Sequence, residues 1–401
     1  MNKNKRLKIA FFMDDFYPSI NGVNLVMDNC ARNLNKYCDV VIVVPYVDKK
    51  YVDNFPYKVI RIKGIKERIM GYTWAAPQLD FKAQKQIKDE HFDLIHIHSP
   101  FIMGRVGVLF ARKNHIPVVG TIHTRFNYEL DRVHLKGICK QIPTNWITKT
   151  FNMCDKCFTV NEAMKEIFIK YGITNKISII PNATDLQTSK NINEDKVYIN
   201  NKYNLNENDN VLLFVGRISI VKNIVFILDS LKILKDKNID FKMLFVGPFE
   251  DKKVFYKKIK QLQLEDKIIV CGKVYDREML SKIYARADLL LLPSYYDTSS
   301  LVQKEAASQF TPTVFIENSP TATEVKNDYN GFISPYDFQL YANKIAEVLN
   351  NRELLKNVSI NCHKSLYRSW SDVCDLLYEE YKKLLSQCYN KDEETTWKEN
   401  A

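Results

Sequence analysis

Leu289 to Val314 reads LLLLPSYYDTSSLVQKEAASQFTPTV, and the order of residue types in it decides the fold. Leu289 to Leu292 make an apolar strand, and Pro293 ends it because proline has no N–H to give a ladder. Ser294 to Ser300 is then a polar loop at the strand's carboxyl end, the place where open α/β sheets hold ligands. A helix is expected to start near Ser299 or Ser300, with the next strand arriving at Val314. Asp297 then sits before the helix's free N–H groups and Glu305 within its first two turns, so both carboxylates can face one crevice. Loop amides at a helix start suit an anion such as phosphate. A carboxylate accepts two hydrogen bonds at once from a vicinal diol such as ribose. Phosphate plus diol means a nucleotide. A second reading stands beside this one: Asp297 as a helix cap and Glu305 as a solvated helix residue.

The same strand–helix alternation runs outward in both directions. Before this stretch come strands at Val211–Val215, Phe241–Val246 and Ile268–Val270, with helices at Ile224–Lys235, Lys253–Leu262 and Arg277–Arg286. Further back, strands are expected at Leu7–Met13, Val40–Val44, Tyr57–Ile62, Asp93–His98, Val118–Thr121, Cys157–Val160 and Ile177–Ile180. Helices fall between them at Val23–Leu34, Phe81–Lys88, Ile102–Lys113 and Ala163–Tyr171. Such alternation is the signature of a parallel sheet wrapped by helices. The polar stretch from Thr188 to Asn210 separates two similar halves. After Gly331-Phe332-Ile333 only helices are expected, the last from Trp370, with room to return to the first half.

Composition narrows the class. With 401 residues, 46% hydrophobic and 26% charged, the chain is an ordinary globular one able to bury two or three cores. Nine cysteines without a secretion signal point to a reducing, cytoplasmic setting with free thiols. Cys154 and Cys157 form a lone Cys-x-x-Cys, read as half-buried thiols beside a strand, since zinc wants a second pair. No run approaches the roughly 20 apolar residues of a membrane span. A formal charge of +11 favours anionic partners. No nucleic-acid motif is present, so phosphorylated small molecules or an anionic membrane surface remain, the latter placing the protein at the inner face of the cell membrane.

Phe214-Val215-Gly216-Arg217 to Lys222-Asn223 closes a strand and opens a helix. Glycine permits close backbone approach, and Arg217 and Lys222 can converge on one diphosphate. Neither a Walker loop nor a Gly-x-Gly-x-x-Gly fingerprint is present. Asp-x-Asp, a common divalent-metal motif of sugar-nucleotide enzymes, is also missing, so positive side chains are expected to act without a metal or other cofactor.

The order Asn21-Gly22-Val23, His98-Ser99-Pro100, Ile122-His123-Thr124, Pro181-Asn182, Gly216-Arg217 to Lys222, and Asp297 with Glu305 resembles the retaining glycosyltransferases of the GT-B fold. It is most similar to the family that includes bacterial diacylglycerol glucosyltransferases and phosphatidylinositol mannosyltransferases. The resemblance implies two Rossmann-like α/β domains facing a cleft. Residues 1–187, completed by a C-terminal helix at 370–390, would take the acceptor, and residues 188–369 the nucleotide sugar. It further implies that Arg217 and Lys222 hold the diphosphate, Glu305 the ribose diol and Asp297 the sugar's hydroxyls. The Gly216 loop and the amides of Thr298, Ser299, Ser300 and Leu301 would line the donor. Gly22 would face that donor and His123 the reacting sugar, with His98 a weaker cleft residue and His96 structural. The implied activity is metal-independent transfer of a hexose, UDP-linked in first choice, to a membrane glycolipid or cell-envelope glycan.

Two motifs depart from the family pattern. Aspartate stands at 297 where glutamate is usual, followed by Thr298-Ser299 instead of Phe-Gly, and Pro181 to Asp185 replaces an Asn-Gly-Val-Asp. A shorter carboxylate reaches a different hydroxyl, and the altered triplet keeps a rival open: a non-catalytic relative that binds a nucleotide sugar and regulates a partner. A soluble sugar acceptor is a second alternative. On the acceptor side, the stretches Lys58–Trp74 and Arg125–Lys149 interleave basic residues with Ile, Met, Tyr and Trp, as a membrane-surface patch would.

Overall fold

The computed structural model describes residues 6–19, 21–46, 51–66, 73–132, 136–295 and 297–399. They form two compact units, one reaching Pro181 and resuming at Trp370, the other Asn182–Ser369. The junction precedes the sequence boundary at 187/188. Asn182 to Leu186 already packs in the second unit, where Thr184 N donates to Arg368 O (3.0 Å) and Leu186 joins a buried cluster with Ile199 and Tyr284.

The first unit runs β1 (Lys8–Phe12), α1 (Gly22–Leu34), β2 (Asp39–Pro45), β3 (Lys58–Ile62), β4 (Gly64–Lys66), β5 (Thr73–Ala75), α2 (Phe81–Asp89), β6 (Leu94–Ile97), α3 (Ile102–Lys113), β7 (Val118–Thr121), α4 (Phe126–Arg132), α5 (Gly137–Asn152), β8 (Lys156–Thr159), α6 (Glu162–Lys170) and β9 (Ile177–Ile179). Seven of these strands make one parallel sheet, in the order β3-β2-β1-β6-β7-β8-β9. Their near-continuous apolar runs are buried on both faces, as a helix-covered parallel sheet requires. In the second unit follow α7 (Ile192–Tyr203), β10 (Val211–Val215), α8 (Ile224–Asp236), β11 (Lys242–Val246), α9 (Lys252–Leu262), β12 (Ile268–Gly272), α10 (Arg277–Arg286), β13 (Leu289–Leu292), α11 (Leu301–Ser308), β14 (Thr313–Ile316), β15 (Phe332–Ser334), α12 (Phe338–Asn350) and α13 (Arg352–Leu366). Its sheet is β12-β11-β10-β13-β14-β15, again parallel.

Both sheets reverse their winding at the same relative point. β1 lies between β2 and β6, and β10 between β11 and β13, so a crevice opens at the carboxyl ends of each pair. That is where the sequence places Gly22 and His98 in one unit, and Gly216 to Lys222 and Asp297 in the other.

The final helix, α14 (Trp370–Glu399), returns to the first unit. Val373, Cys374, Leu377, Tyr381, Leu384 and Leu385 recur at three- and four-residue steps and are all buried. The Tyr381 hydroxyl meets His96 Nδ1 at 2.5 Å, and Glu380 pairs with Lys156. Truncating one such side chain, as in Leu377→Ala, should cost about 2–5 kcal/mol.

Two stretches differ from expectation. In Lys58–Trp74 the expected strand is present as Lys58–Ile62, but beyond it β4 pairs antiparallel with β5, setting exposed Ile65 opposite exposed Trp74. Residues 67–72 of that stretch lie outside the described residues. Arg125–Lys149 holds two helices, α4 and α5, because Ile147, Thr150 and Phe151 recur at helical spacing and bury one side. Pro143 sits inside α5; it removes one backbone donor near solvent-exposed Cys139. Cys154 and Cys157 are fully buried free thiols, not half-buried ones.

Candidate active site

In the second unit the site begins where β10 ends. Gly216 has φ +148 and Gly247, at the end of β11, φ +142, and a Cβ on Gly247 would lie 1.9 Å from Gly216 O. Only glycine lets these two loops touch. Once touching, they brace each other: Gly216 N donates to Val246 O (2.9 Å), Ile218 N to Pro248 O (2.8 Å) and Ile220 N to Asp251 Oδ2 (2.8 Å). The braced loop carries Arg217 and Lys222. Its last residue, Asn223, takes a left-handed conformation (φ 57) and donates its side-chain amide to Pro293 O, which fastens the loop to the end of β13.

Lys222 forms an ion pair with Asp297, both side chains being largely buried. Helix α11 starts at Leu301 with Ser300 as its N-cap, and no side chain caps it. Asp297 is therefore not the cap; it lies three residues ahead, held by Lys222. Thr298, Ser299 and Ser300 form the turn between them, and Ser299 O accepts a long bond from Asn182 Nδ2 (3.5 Å). Arg217 does not join Lys222 on a shared carboxylate. Half exposed, it pairs with Glu250 (3.2 Å), so each cation has its own acid in this structure.

Glu305 is not a solvated helix residue. It is 8% exposed, and its two oxygens accept from Arg277 Nη2 and from the Tyr284 hydroxyl, each at 2.8 Å. Arg277 also donates through Nε to Asp185 Oδ2 (2.9 Å). Burial alone would lower the Arg277 pKa, but Glu305 and Asp185 hold it above its ordinary value. Burial and the Glu305 charge keep Tyr284 protonated. A carboxylate has about four lone-pair positions, and these two bonds use two of those on Glu305. A cavity of about 470 Å³ opens between α7 and the turn into α10, and none of the sequence-predicted site residues lines it.

In the first unit, Asn21 caps α1 by accepting from Val23 N and Asn24 N, both at 3.0 Å. Gly22 follows, and a Cβ built on it meets nothing within 4 Å. Packing does not demand that glycine, which leaves the surface in front of α1 open. Beyond β6 and β7, His98 and His123 stack at 5.4 Å with Nδ1 of one 3.1 Å from Nε2 of the other. His98 Nε2 is buried with no partner among the described residues. A bare ring nitrogen is cheaper to bury than an orphaned N–H, so His98 carries its proton on Nδ1 and donates to His123 Nε2. Burial lowers His98 and His96 well below the usual imidazole range and pushes His123 down to about 4, so all three are neutral near pH 7. His96 is structural: it bridges Tyr381 and Thr121 (2.6 Å to Oγ1).

The two halves match two catalogued domains. Residues 20–188 match the family described as Glycosyltransferase Family 4, and residues 195–365 that described as Glycosyl transferases group 1. The chain belongs to the GT-B glycosyltransferases.

Among its glycosyltransferase relatives, an alpha-monoglucosyldiacylglycerol synthase of Streptococcus pneumoniae is 23% identical, over 77% of this chain and 70% of that protein. The enzyme of the same name from Acholeplasma laidlawii is 24% identical over 93% and 96%. The crystal structure of Anabaena HepE in complex with UDP and glucose superposes with a TM-score of 0.73, covering 94% of this chain and all of that one at 17% identity. That likeness shows the GT-B fold.

Several neighbours of the glycosyltransferase site were not singled out in the sequence. Arg277 and Tyr284 lie seven apart on α10, two helical turns along one face, which is a legible signal once Glu305 is suspected. Asp185, Gly247 and Glu250 reach the site only through tertiary contacts. Asp14 is a further, half-buried acid, accepting from Met103 N (2.8 Å) and Ser99 Oγ (2.5 Å) just past β1.

Proposed function

We propose that this glycosyltransferase moves a hexose, with retention of configuration and without a metal, from a nucleotide sugar to a lipid or lipid-linked glycan acceptor. UDP is the first-choice carrier. The observation that carries the reading is the Lys222–Asp297 pair at the winding reversal between β10 and β13. Under this reading the pair sets a cation for the diphosphate beside a carboxylate for the sugar. In this reading Arg217 and Lys222 bind the diphosphate, amides from Thr298 to Leu301 add backbone donors, and Glu305 receives the ribose diol. Asp297 receives sugar hydroxyls, Gly22 faces the donor, and His123 faces the reacting sugar.

The chemistry balances without an enzyme base. The bond from the anomeric carbon to the phosphate oxygen breaks and its electron pair stays on the diphosphate. The acceptor hydroxyl attacks the same face, and its proton passes to the departing phosphate. Charge grows on that phosphate, and Lys222 stabilises it where it develops. The acceptor class is supported by the two monoglucosyldiacylglycerol synthases, and a lipid acceptor places the protein at the cytoplasmic face of a membrane. No helix among the described residues is long and apolar enough to cross one.

A donor screen tests the reading: UDP- and GDP-sugars offered with diacylglycerol, lipid-linked glycans and soluble sugars, with product analysis. Transfer that disappears in Glu305→Ala and Lys222→Ala supports it. Tight donor binding with no turnover on any acceptor supports the regulatory relative suggested by Asp297-Thr298-Ser299. Turnover lost to EDTA and restored by manganese rejects the metal-free step.

A further inference from the structure

Arg277 opens α10, one residue after its cap Asp276. The amino end of a helix disfavours a positive charge, so this arginine does not serve its own helix. Its guanidinium is instead held between two acids from distant segments. Nε donates to Asp185 Oδ2 (2.9 Å) and Nη2 to Asp185 Oδ1, a two-pronged grip that fixes the plane of the group. Nη2 also donates to Glu305 Oε1 (2.8 Å). These bonds use Nε and Nη2 alone. Nη1, whose N–H groups are donors as well, makes no hydrogen bond or ion pair among the described residues.

Exposure gives the cluster an inner and an outer side. The Tyr284 hydroxyl, fully buried, closes Glu305 from within (2.8 Å to Oε2). The Glu305 side chain is 10% exposed, and those of Arg277 and Asp185 are 40% and 42% exposed, so a ligand that reaches Glu305 from solvent lies beside the guanidinium. A counter-ion for Glu305 needs only a charge, which an ammonium supplies. The braced fork and its idle Nη1 exceed that need. A sugar hydroxyl both donates and accepts. A carboxylate takes the hydrogens of a diol and leaves its oxygens without donors, and a guanidinium edge next to that carboxylate supplies them.

We infer that Arg277 is a specificity-determining residue for the ribose of the nucleotide, with Nη1 donating to an oxygen of the diol whose hydrogens Glu305 accepts. The site thereby selects ribonucleoside diphosphates against their deoxy counterparts. This deepens the proposed function and rests on its assignment of Glu305 to the ribose diol.

The test is calorimetric titration of the full chain with UDP, 2′-deoxy-UDP and 3′-deoxy-UDP, and with GDP and its two deoxy analogues, which reads binding without turnover or an acceptor. A missing hydroxyl strands charged partners, so wild type should prefer the ribonucleotide about ten- to a hundredfold over at least one deoxy analogue. Arg277→Lys keeps a charge beside Glu305 but loses the fork, and should bring that preference to within about threefold. Tyr284→Phe removes the other bond to the same carboxylate and should keep most of the preference. Urea midpoints establish that each variant is folded. Asp185→Asn, which unties the fork while leaving Arg277 beside Glu305, is the second variant and should lower the preference roughly severalfold. The inference is overturned if Arg277→Lys and Asp185→Asn both keep the wild-type preference; if Glu305→Gln then loses it, the ribose reading of Glu305 stands without Arg277. It is equally overturned if Tyr284→Phe loses the preference as fully as Arg277→Lys does, because Arg277 then acts only by holding Glu305. Wild type that binds ribo- and deoxynucleotides alike overturns both assignments, and wild type that binds neither UDP nor GDP rejects the nucleotide reading itself and this inference with it.

Discussion

Lys222 is ion-paired with Asp297, joining the loop that follows β10 to the loop that follows β13. A diphosphate brings more negative charge than one carboxylate, so under the proposed function a bound donor would compete with Asp297 for Lys222.

Lys222→Ala should lower kcat about a hundred- to a thousandfold, the usual loss for one preorganised charge-stabilising donor, with a smaller rise in donor KM. Arg217, half exposed and paired with Glu250, should affect KM relatively more, because a planar guanidinium suits phosphate oxygens already charged in the ground state. Steady-state kinetics of both variants separates the roles. A tenfold or so weaker KM with kcat intact would make Lys222 a uniform binder.

Tyr284→Phe removes a buried hydrogen bond to Glu305 and should cost about 1 kcal/mol of stability, with a modest rise in donor KM. Glu305→Ala strands the Tyr284 hydroxyl and one Arg277 donor, and should cost about 1–3 kcal/mol and most of the donor affinity. Urea midpoints and donor titrations check both. Glu305→Ala as stable as wild type would contradict the network.

Gly247→Ala should destabilise the second unit by more than about 2 kcal/mol, since its methyl would fall on Gly216 O in a backbone region that disfavours side chains. Gly216→Ala meets only the Phe214 ring at 3.7 Å, so its cost is the backbone strain alone and should be smaller. Thermal melts of the pair give the order, and the reverse order would contradict the described contact between the loops.

Stability should fall as pH drops below about 6.5. His96 and His98 are neutral in the fold and lie well below the ordinary imidazole pKa because they are buried. The unfolded chain then binds more protons than the folded one. Their contribution is fully present above the unfolded pKa and is lost as pH falls. His123, at about 4, acts in the same sense but keeps partial solvent contact. Asp14, which burial raises, works in the opposite sense. Urea midpoints at neutral pH and about two units below should differ, and His98→Asn should shrink the difference. An unchanged difference would remove His98 from the account.

Much of this was legible in the sequence, for a physical reason. Strands buried on both faces read as unbroken apolar runs, so β7, β10, α3 and α10 were bounded to the residue. Lys222 and Asp297 stood out because strand-end loops in open sheets carry ligands, and the structure brings the two together. Helix α5 was hidden by Pro143 and by a second, exposed apolar face at Ile138, Ile142 and Trp146, which blurs the periodicity of the first. The pairing of Arg217 with Glu250, and of Glu305 with Arg277 and Tyr284, was not readable either. Spacing along the chain does not fix where long charged side chains point, and these partners arrive from segments 33, 28 and 21 residues away.

The central claim, retaining transfer from a nucleotide sugar with Lys222 at the leaving phosphate, is tested most directly by the anomeric configuration of the product. UDP-glucose and dispersed diacylglycerol are incubated with wild type and with Lys222→Ala, UDP is quantified, and the glycolipid is examined by NMR. The account predicts stoichiometric UDP and an α-linked glucolipid, matching the donor's own configuration, with both nearly absent in Lys222→Ala. A β-linked product, or a Lys222→Ala variant that turns over like wild type, would contradict it.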